Sequence, residues 1–262
     1  MARSRALLNV LNLANIEELP IEKQFLNDLR TSIELQDQKE SRKPSLTYKP
    51  SSLHCIRNMY YQVIGAEAKA DRSSSELVGI CESGTDRHER IQRAVASMKE
   101  NGIDCEYVNV GDYVKTHNLP DIEVVSQQGM ETKLFNKNYN MSFLCDGVIK
   151  YKGKYYILEI KTETNNKFWN RENVNPDHIL QGTAYSLNLN LNDVLFLYEC
   201  RDNCAKKAFM LHVTDTMRQD LVSKIRNCDY CVESNTVPPK PLDLSRSTCA
   251  YCDYAERCNA DG

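Results

Sequence analysis

The sequence predicts an α/β sandwich, a mixed central sheet flanked by helices, and three observations carry that prediction. Helical and strand patterns are interleaved along the chain instead of being segregated. A β-hairpin signal lies in FLCDGVIKYKGKYYILEIKTE, from Phe143 to Glu163. Hydrophobic residues fill 41% of the 262 positions, which suits one large core or a core with a small appendage.

The elements follow in order. Ile21, Phe25, Leu29 and Ile33 recur every fourth residue, giving an apolar stripe on a helix that starts near Pro20. That stripe is expected to pack against the main domain. From Gln36 to Pro50 the chain turns polar, with Pro44 and Pro50, and reads as a linker. Residues 1–50 are therefore expected to be a helical extension and linker, and 51–262 the main domain. Ser51 or Ser52 caps a helix through His54-Cys55-Ile56-Arg57-Asn58-Met59-Tyr60-Tyr61. A second helix runs over 84–100, and short strands are expected at 105–110, 121–126 and 130–136. After the hairpin come a helix at 176–187, strands at 193–200 and 206–213, a helix at 215–228, and a Pro-rich tail ending in cysteines.

The hairpin fixes a chemistry. Its turn falls at Lys152-Gly153, where Gly accepts the positive φ that two-residue loops need. Counting outward, Lys150 faces Tyr155, Val148 faces Ile157, and Asp146 faces Glu159. Two carboxylates then stand with Cβ atoms roughly 4.5–5.5 Å apart, and Lys161 shares the face of Glu159 because strand side chains alternate. Such a group can hold a hard cation through oxygen, with the ammonium at hand to offset charge.

Composition narrows the classes. No apolar run reaches the roughly eighteen residues of a membrane-spanning helix. In MARSRALLNVLNLAN, Asn9 and Asn12 interrupt any signal-peptide core, so an amphipathic helix and a cytoplasmic chain are expected, with a transit peptide as the alternative. A net charge of −3 argues against passive coating of nucleic acid and requires any basic contact surface to be local. Eleven cysteines in a reducing compartment point to metal or cluster ligation.

Three further patterns flank the hairpin. His88 follows Gly84 as Gly-x-x-x-His on the helix upstream. Gln181 and Tyr185 share one helical face downstream. Between them, Lys167, Trp169 and Arg171 interleave basic and aromatic residues, as contact with an unpaired strand requires; Trp169 as a packing anchor is the plainer alternative. Gly-x-x-x-His, Asp146, Glu159-x-Lys161 and Gln-x-x-x-Tyr, in this order, resemble the RecB-like group of PD-(D/E)XK nucleases over roughly Ser51 to Cys258.

That resemblance implies a restriction-endonuclease-like core and a metal-dependent DNA exonuclease acting on ends or single strands. It implies Mg²⁺ or Mn²⁺ on His88, Asp146, Glu159 and the Ile160 carbonyl, with Lys161 orienting water. Gln181, Tyr185, Arg57, Lys167 and Trp169 would meet DNA. Cys55 with Cys249-x2-Cys252-x5-Cys258 resembles the iron–sulfur members of the group, implying a [4Fe–4S] cluster that clasps the tail to the first helix of the core. Relatives of this kind imply a bacterial or phage-infected cytosol, recombination or replication partners, and in some cases a homo-oligomer. Two alternatives stand beside this reading. Cys228-x2-Cys231 with Cys249-x2-Cys252 also fits a zinc ribbon, hence a binding module without catalysis. A structure-specific endonuclease of the same fold is the other. Cys81, Cys105, Cys145, Cys200 and Cys204 read as buried, reduced thiols.

Overall fold

The computed structural model describes residues 20–39, 45–68, 74–242, 244, 246–250 and 252–262, so the expected helix over 1–15 lies outside the described residues. The described residues divide into two compact units, one holding 20–39 and 74–81, the other 45–68 and 82 onward. In the first unit, helix α1 (Ile21–Lys39) is joined to the start of α3 (Ser75–Ala96). Arg30 pairs with Glu76 at 3.5 Å, and Glu34 accepts a hydrogen bond from the Ser75 amide. Within this unit Ile21, Phe25 and Leu29 are not covered by the start of α3.

The second unit holds the mixed sheet. Its strands are β1 (Cys105–Val108), β5 (Gly147–Tyr151), β6 (Lys154–Glu163), β7 (Asp193–Cys200) and β8 (Lys206–His212), adjacent in that order. Only β6 and β7 run parallel; the other neighbours are antiparallel. A parallel pair needs a crossover, and α6 (Pro176–Leu189) with the short α5 (Asn165–Trp169) supplies it. The predicted hairpin register holds for Lys150 with Tyr155 and Val148 with Ile157, but the ladder ends at Gly147 with Leu158, so Asp146 does not pair with Glu159 as expected. Lys152 joins Gly153 at positive φ in the turn, +48° and +79°.

Three elements differ from expectation. The helix begun by Ser51 or Ser52 is instead a 3-10 turn, Pro50–Ser52, followed by α2 (Ile56–Val63) with Cys55 at its N-cap. Val110–Thr116 forms α4, because the Asn109 side chain caps the amide of Asp112 and ends β1 early. The run from Phe143 to Tyr151 is not one strand. It breaks at Asp146, and its first half, β4 (Met141–Cys145), belongs to a separate antiparallel sheet with β2 (Ile122–Gln128) and β3 (Glu131–Asn136).

Helices cover both faces of the mixed sheet. Ile157 packs into the larger core with Ala184 and Tyr185 of α6 and Leu221 and Ile225 of α7 (Asp215–Glu233). Leu158 and Ile160 face the other way, onto Ile91 of α3. This alternation along β6 places Glu159 on the α6 side.

At the break, Gly147 has no room for a side chain: a Cβ there would lie 2.5 Å from Tyr107 Cε2. The Tyr107 hydroxyl donates to the Asp146 carbonyl at 2.7 Å. Gly147→Ala should therefore displace the ring that steadies Asp146 and cost about 1–3 kcal/mol, read by urea denaturation. Wild-type stability in that variant would show that the ring moves freely.

Candidate active site

Asp146 stands where the chain passes from one sheet to the other, and four groups fix it. Its Oδ1 lies 3.0 Å from His88 Nδ1, and its Oδ2 accepts from the Ile160 amide at 2.6 Å. Gln92 Nε2 and the Tyr107 hydroxyl both donate to its carbonyl, at 2.6 and 2.7 Å. His88 is itself held in place by its helical neighbours. Arg87 and Arg90 of α3 reach Glu199 Oε1 on β7, at 3.3 and 2.6 Å, and that carboxylate is fully buried.

Glu131, absent from the sequence reading, completes an acidic corner. Ligand atoms of His88, Glu131 and Asp146 lie within 4.8 Å of one another. Extending the β3–β4 ladder, in which Thr132 faces Cys145, puts Glu131 opposite Asp146. Burial pushes the Glu131 carboxyl up, and the Asp146 charge adds to this. Burial works to lower His88, but the Asp146 carboxylate outweighs it and raises the imidazole.

Glu159 is the second acidic centre. It is 2% exposed, and burial, reinforced by the Asp146 charge, pushes it up to about 7 against the pull of Lys161. Its Oε1 accepts from Lys161 Nζ at 2.6 Å and from Gln181 Nε2 at 2.8 Å. Its Oε2 is buried with no hydrogen-bond partner among the described residues. A buried carboxylate oxygen left bare costs about 1–3 kcal/mol or more, so the position suits a cation. Lys161 also donates to Gln181 Oε1 at 2.9 Å, and Gln181 Nε2 to the Tyr185 hydroxyl at 2.8 Å. The donors that converge, the His88 imidazole and the Glu131 and Asp146 carboxylates, fit a hard divalent ion, and Glu159 with Lys161 lies outside that group.

Two residues expected on substrate are placed elsewhere. Tyr185 is buried, and its hydroxyl steadies Gln181. Arg57 is buried too, donating to the carbonyls of Pro238, Cys258 and Gly262 at 2.7, 2.8 and 2.9 Å. It therefore ties the tail to α2. Trp169 is 55% exposed and Lys167 is exposed, both on α5.

Cys55, Cys249, Cys252 and Cys258 line one cavity at that junction. Arg57 donates to Cys258 Sγ at 3.4 Å, Asn58 to Cys252 Sγ at 3.6 Å, and the Tyr254 amide to Cys252 Sγ at 3.5 Å. Donors aimed at sulfur suit thiolate ligands. Cys228 and Cys231 lie apart from that cavity on α7, and Cys228 is buried in the core. A zinc ribbon would need both on a knuckle beside the tail, so this arrangement does not assemble one. Of the cysteines expected to be buried, Cys81 and Cys204 are exposed.

No protein-family model and no curated protein match the sequence. Among solved structures, SSO0001 is similar at TM-score 0.45 and 14% identity, over 91% of this chain and 98% of that one. The alkaline exonuclease LHK-Exo from Laribacter hongkongensis gives 0.44 and 13%, over 83% and 95%. LHK-Exo in complex with dAMP gives 0.42 and 10%, over 73% and 90%. These likenesses are too slight to assign a family or an activity. No helix among the described residues is long and apolar enough to cross a membrane.

Proposed function

We propose that this chain is a divalent-metal-dependent DNA exonuclease of the PD-(D/E)XK kind, cutting at ends or in single strands. The observation that carries the reading is the buried Glu159 carboxylate, with one oxygen bare and the other on Lys161, in the field of Asp146 and His88. Asp146, Glu159, His88, Glu131 and the Ile160 carbonyl would hold Mg²⁺ or Mn²⁺. Such an ion acidifies water and offsets phosphate charge. Lys161 stays an ammonium: burial works against its charge, but Glu159 raises it. It can orient an attacking water and meet the charge developing on the phosphate. Gln181 holds Lys161 and Glu159 in mutual register, and Tyr185 holds Gln181.

The sulfur cavity is read as a [4Fe–4S] site on Cys55, Cys249, Cys252 and Cys258. A cluster there would fasten the tail to α2.

The test is digestion of an end-labelled single strand with Mn²⁺ against a chelator, beside a circular strand. Metal-dependent loss of label with the circle intact supports the exonuclease. A cut circle supports the endonuclease instead, and no cleavage of either removes the nuclease reading.

Two expectations concern the ion. Glu131→Gln should weaken Mn²⁺ binding about tenfold or more, measured by titration calorimetry; unchanged affinity would remove Glu131 from the ligand set. Binding should also strengthen as pH rises. Ligands must shed protons to bind, and His88, Glu131 and Glu159 all hold theirs to higher pH than usual, Glu159 to about 7. The rise in melting temperature on adding Mn²⁺ should therefore be small at about pH 6 and grow through about pH 7. A shift independent of pH would deny these ligands.

A further inference from the structure

Beyond Lys161 the end of β6, α5, the loop into α6 and Arg201 enclose an open cleft of about 680 Å³. Four cations line it, Lys161, Lys167, Arg171 and Arg201, against the carboxylates Glu163 and Glu172. This is a locally basic groove on a chain whose net charge is −3.

Its walls are fixed before anything binds. Arg171 grips Glu163, donating from Nε to Oε2 at 2.7 Å, and lies 4.6 Å over the Tyr198 ring. Lys207 donates to the carbonyls of Phe168, Trp169 and Arg171 at 2.9, 3.1 and 3.1 Å, which anchors α5 and the start of the loop. Not every cation is consumed in this way. Lys167 is exposed with no partner among the described residues. Arg201 bonds Thr162 through Nε and Nη2, leaving Nη1 without a partner there. Next in the chain to Asn170 of that lining, Trp169 is half exposed, with its Nε1 on Asn165 Oδ1 at 2.8 Å and Lys207 Nζ 5.5 Å over its ring.

We propose that this cleft is a phosphate subsite for a single strand leading away from Lys161, with Lys167 and Arg201 contacting phosphates and Trp169 stacking a base at the rim. The proposal rests on the nuclease reading for its ligand, and the chemistry is stacking on a preformed aromatic beside unpaired cations. A phosphate here could be terminal or internal to the strand, and the test separates the two.

The experiment is fluorescence anisotropy of the full chain with a labelled single strand, in Ca²⁺ to limit cleavage, with and without a terminal phosphate. Lys167→Gln and Arg201→Gln should each weaken binding about three- to tenfold and lower the salt slope by about one. Trp169→Ala should weaken it about tenfold with the salt slope unchanged. In digestion, each change should raise KM while kcat stays near wild type. Loss confined to the phosphorylated strand places an end in the cleft; equal loss on both places internal phosphates there. Lys167 is exposed and bonded to nothing described, so its variant tests contact and not folding. Wild-type affinity and salt slope in all three variants would overturn the subsite even if cleavage is confirmed. Cleft-dependent binding without cleavage would keep the subsite and remove the nuclease.

Discussion

Cleavage by Asp146→Ala should fall by about a thousandfold or more, a loss of about 4 kcal/mol of transition-state stabilisation. Asp146 joins the acidic corner to the strand: one oxygen meets His88, the other the Ile160 amide. Removing it frees His88 and strips the cation site of a central carboxylate. Mn²⁺ should then no longer raise the melting temperature. Lys161→Ala should lose a similar factor in rate by a different route. It leaves the His88, Glu131 and Asp146 ligands in place, so Mn²⁺ should still stabilise the protein while kcat collapses. The pair of readouts separates an ion ligand from a group acting on water or phosphate. Persistent cleavage in both variants would end the assignment, and loss of the Mn²⁺ shift in Lys161→Ala would make the lysine a structural partner of Glu159.

Much of this site was legible from residue order, and what was missed has a physical reason. Register counting located Lys152-Gly153 as the turn and set β5 against β6 correctly, because a two-residue loop leaves little freedom of pairing. The same counting treated Asp146 as a residue within a continuous strand. An apolar run cannot reveal that its two halves pair with different sheets, since apolar residues in either half record burial and not which strand lies alongside. Asp146 occupies the break, where its carboxylate can turn to the Ile160 amide. Glu131 was hidden for a related reason. Its position opposite Asp146 depends on β3 and β4 being paired across the turn at 137–140, where Asn140 takes φ +45°. Reading that turn as a hairpin brings Glu131 opposite Asp146 by the same counting outward from a turn. Motif position sets Arg57 and Tyr185 toward substrate, whereas in the fold both are buried on intramolecular partners, because a periodic pattern says which face a side chain takes without saying what lies against that face.

Cys249→Ser with Cys252→Ser should bleach the protein and lower its melting temperature by roughly 10–20 °C. The wild type, purified anaerobically, is expected to be brown, with absorbance near 400 nm and iron in excess of zinc. The stability follows from chain length. A link between Cys55 and Cys258 closes nearly the whole second unit into a loop, and the chain-entropy model gives about 5 kcal/mol for a closure of about two hundred residues. The protein contacts at the same junction are not sufficient substitutes. Arg57 holds three tail carbonyls and Tyr61 donates to Asp261 at 2.9 Å, yet α8 (Arg246–Ala250) and α9 (Ala255–Ala260) are each too short to persist alone. Arg57→Met should therefore lower stability without removing iron, whereas the double cysteine change removes both. Asp146→Ala should leave the colour intact, because the acidic corner and the sulfur cavity share no residue. Zinc in place of iron in the anaerobic protein would remove the cluster reading, and a double cysteine variant as stable as wild type would show that the tail is held by Arg57 and its carbonyl partners without a metal clasp.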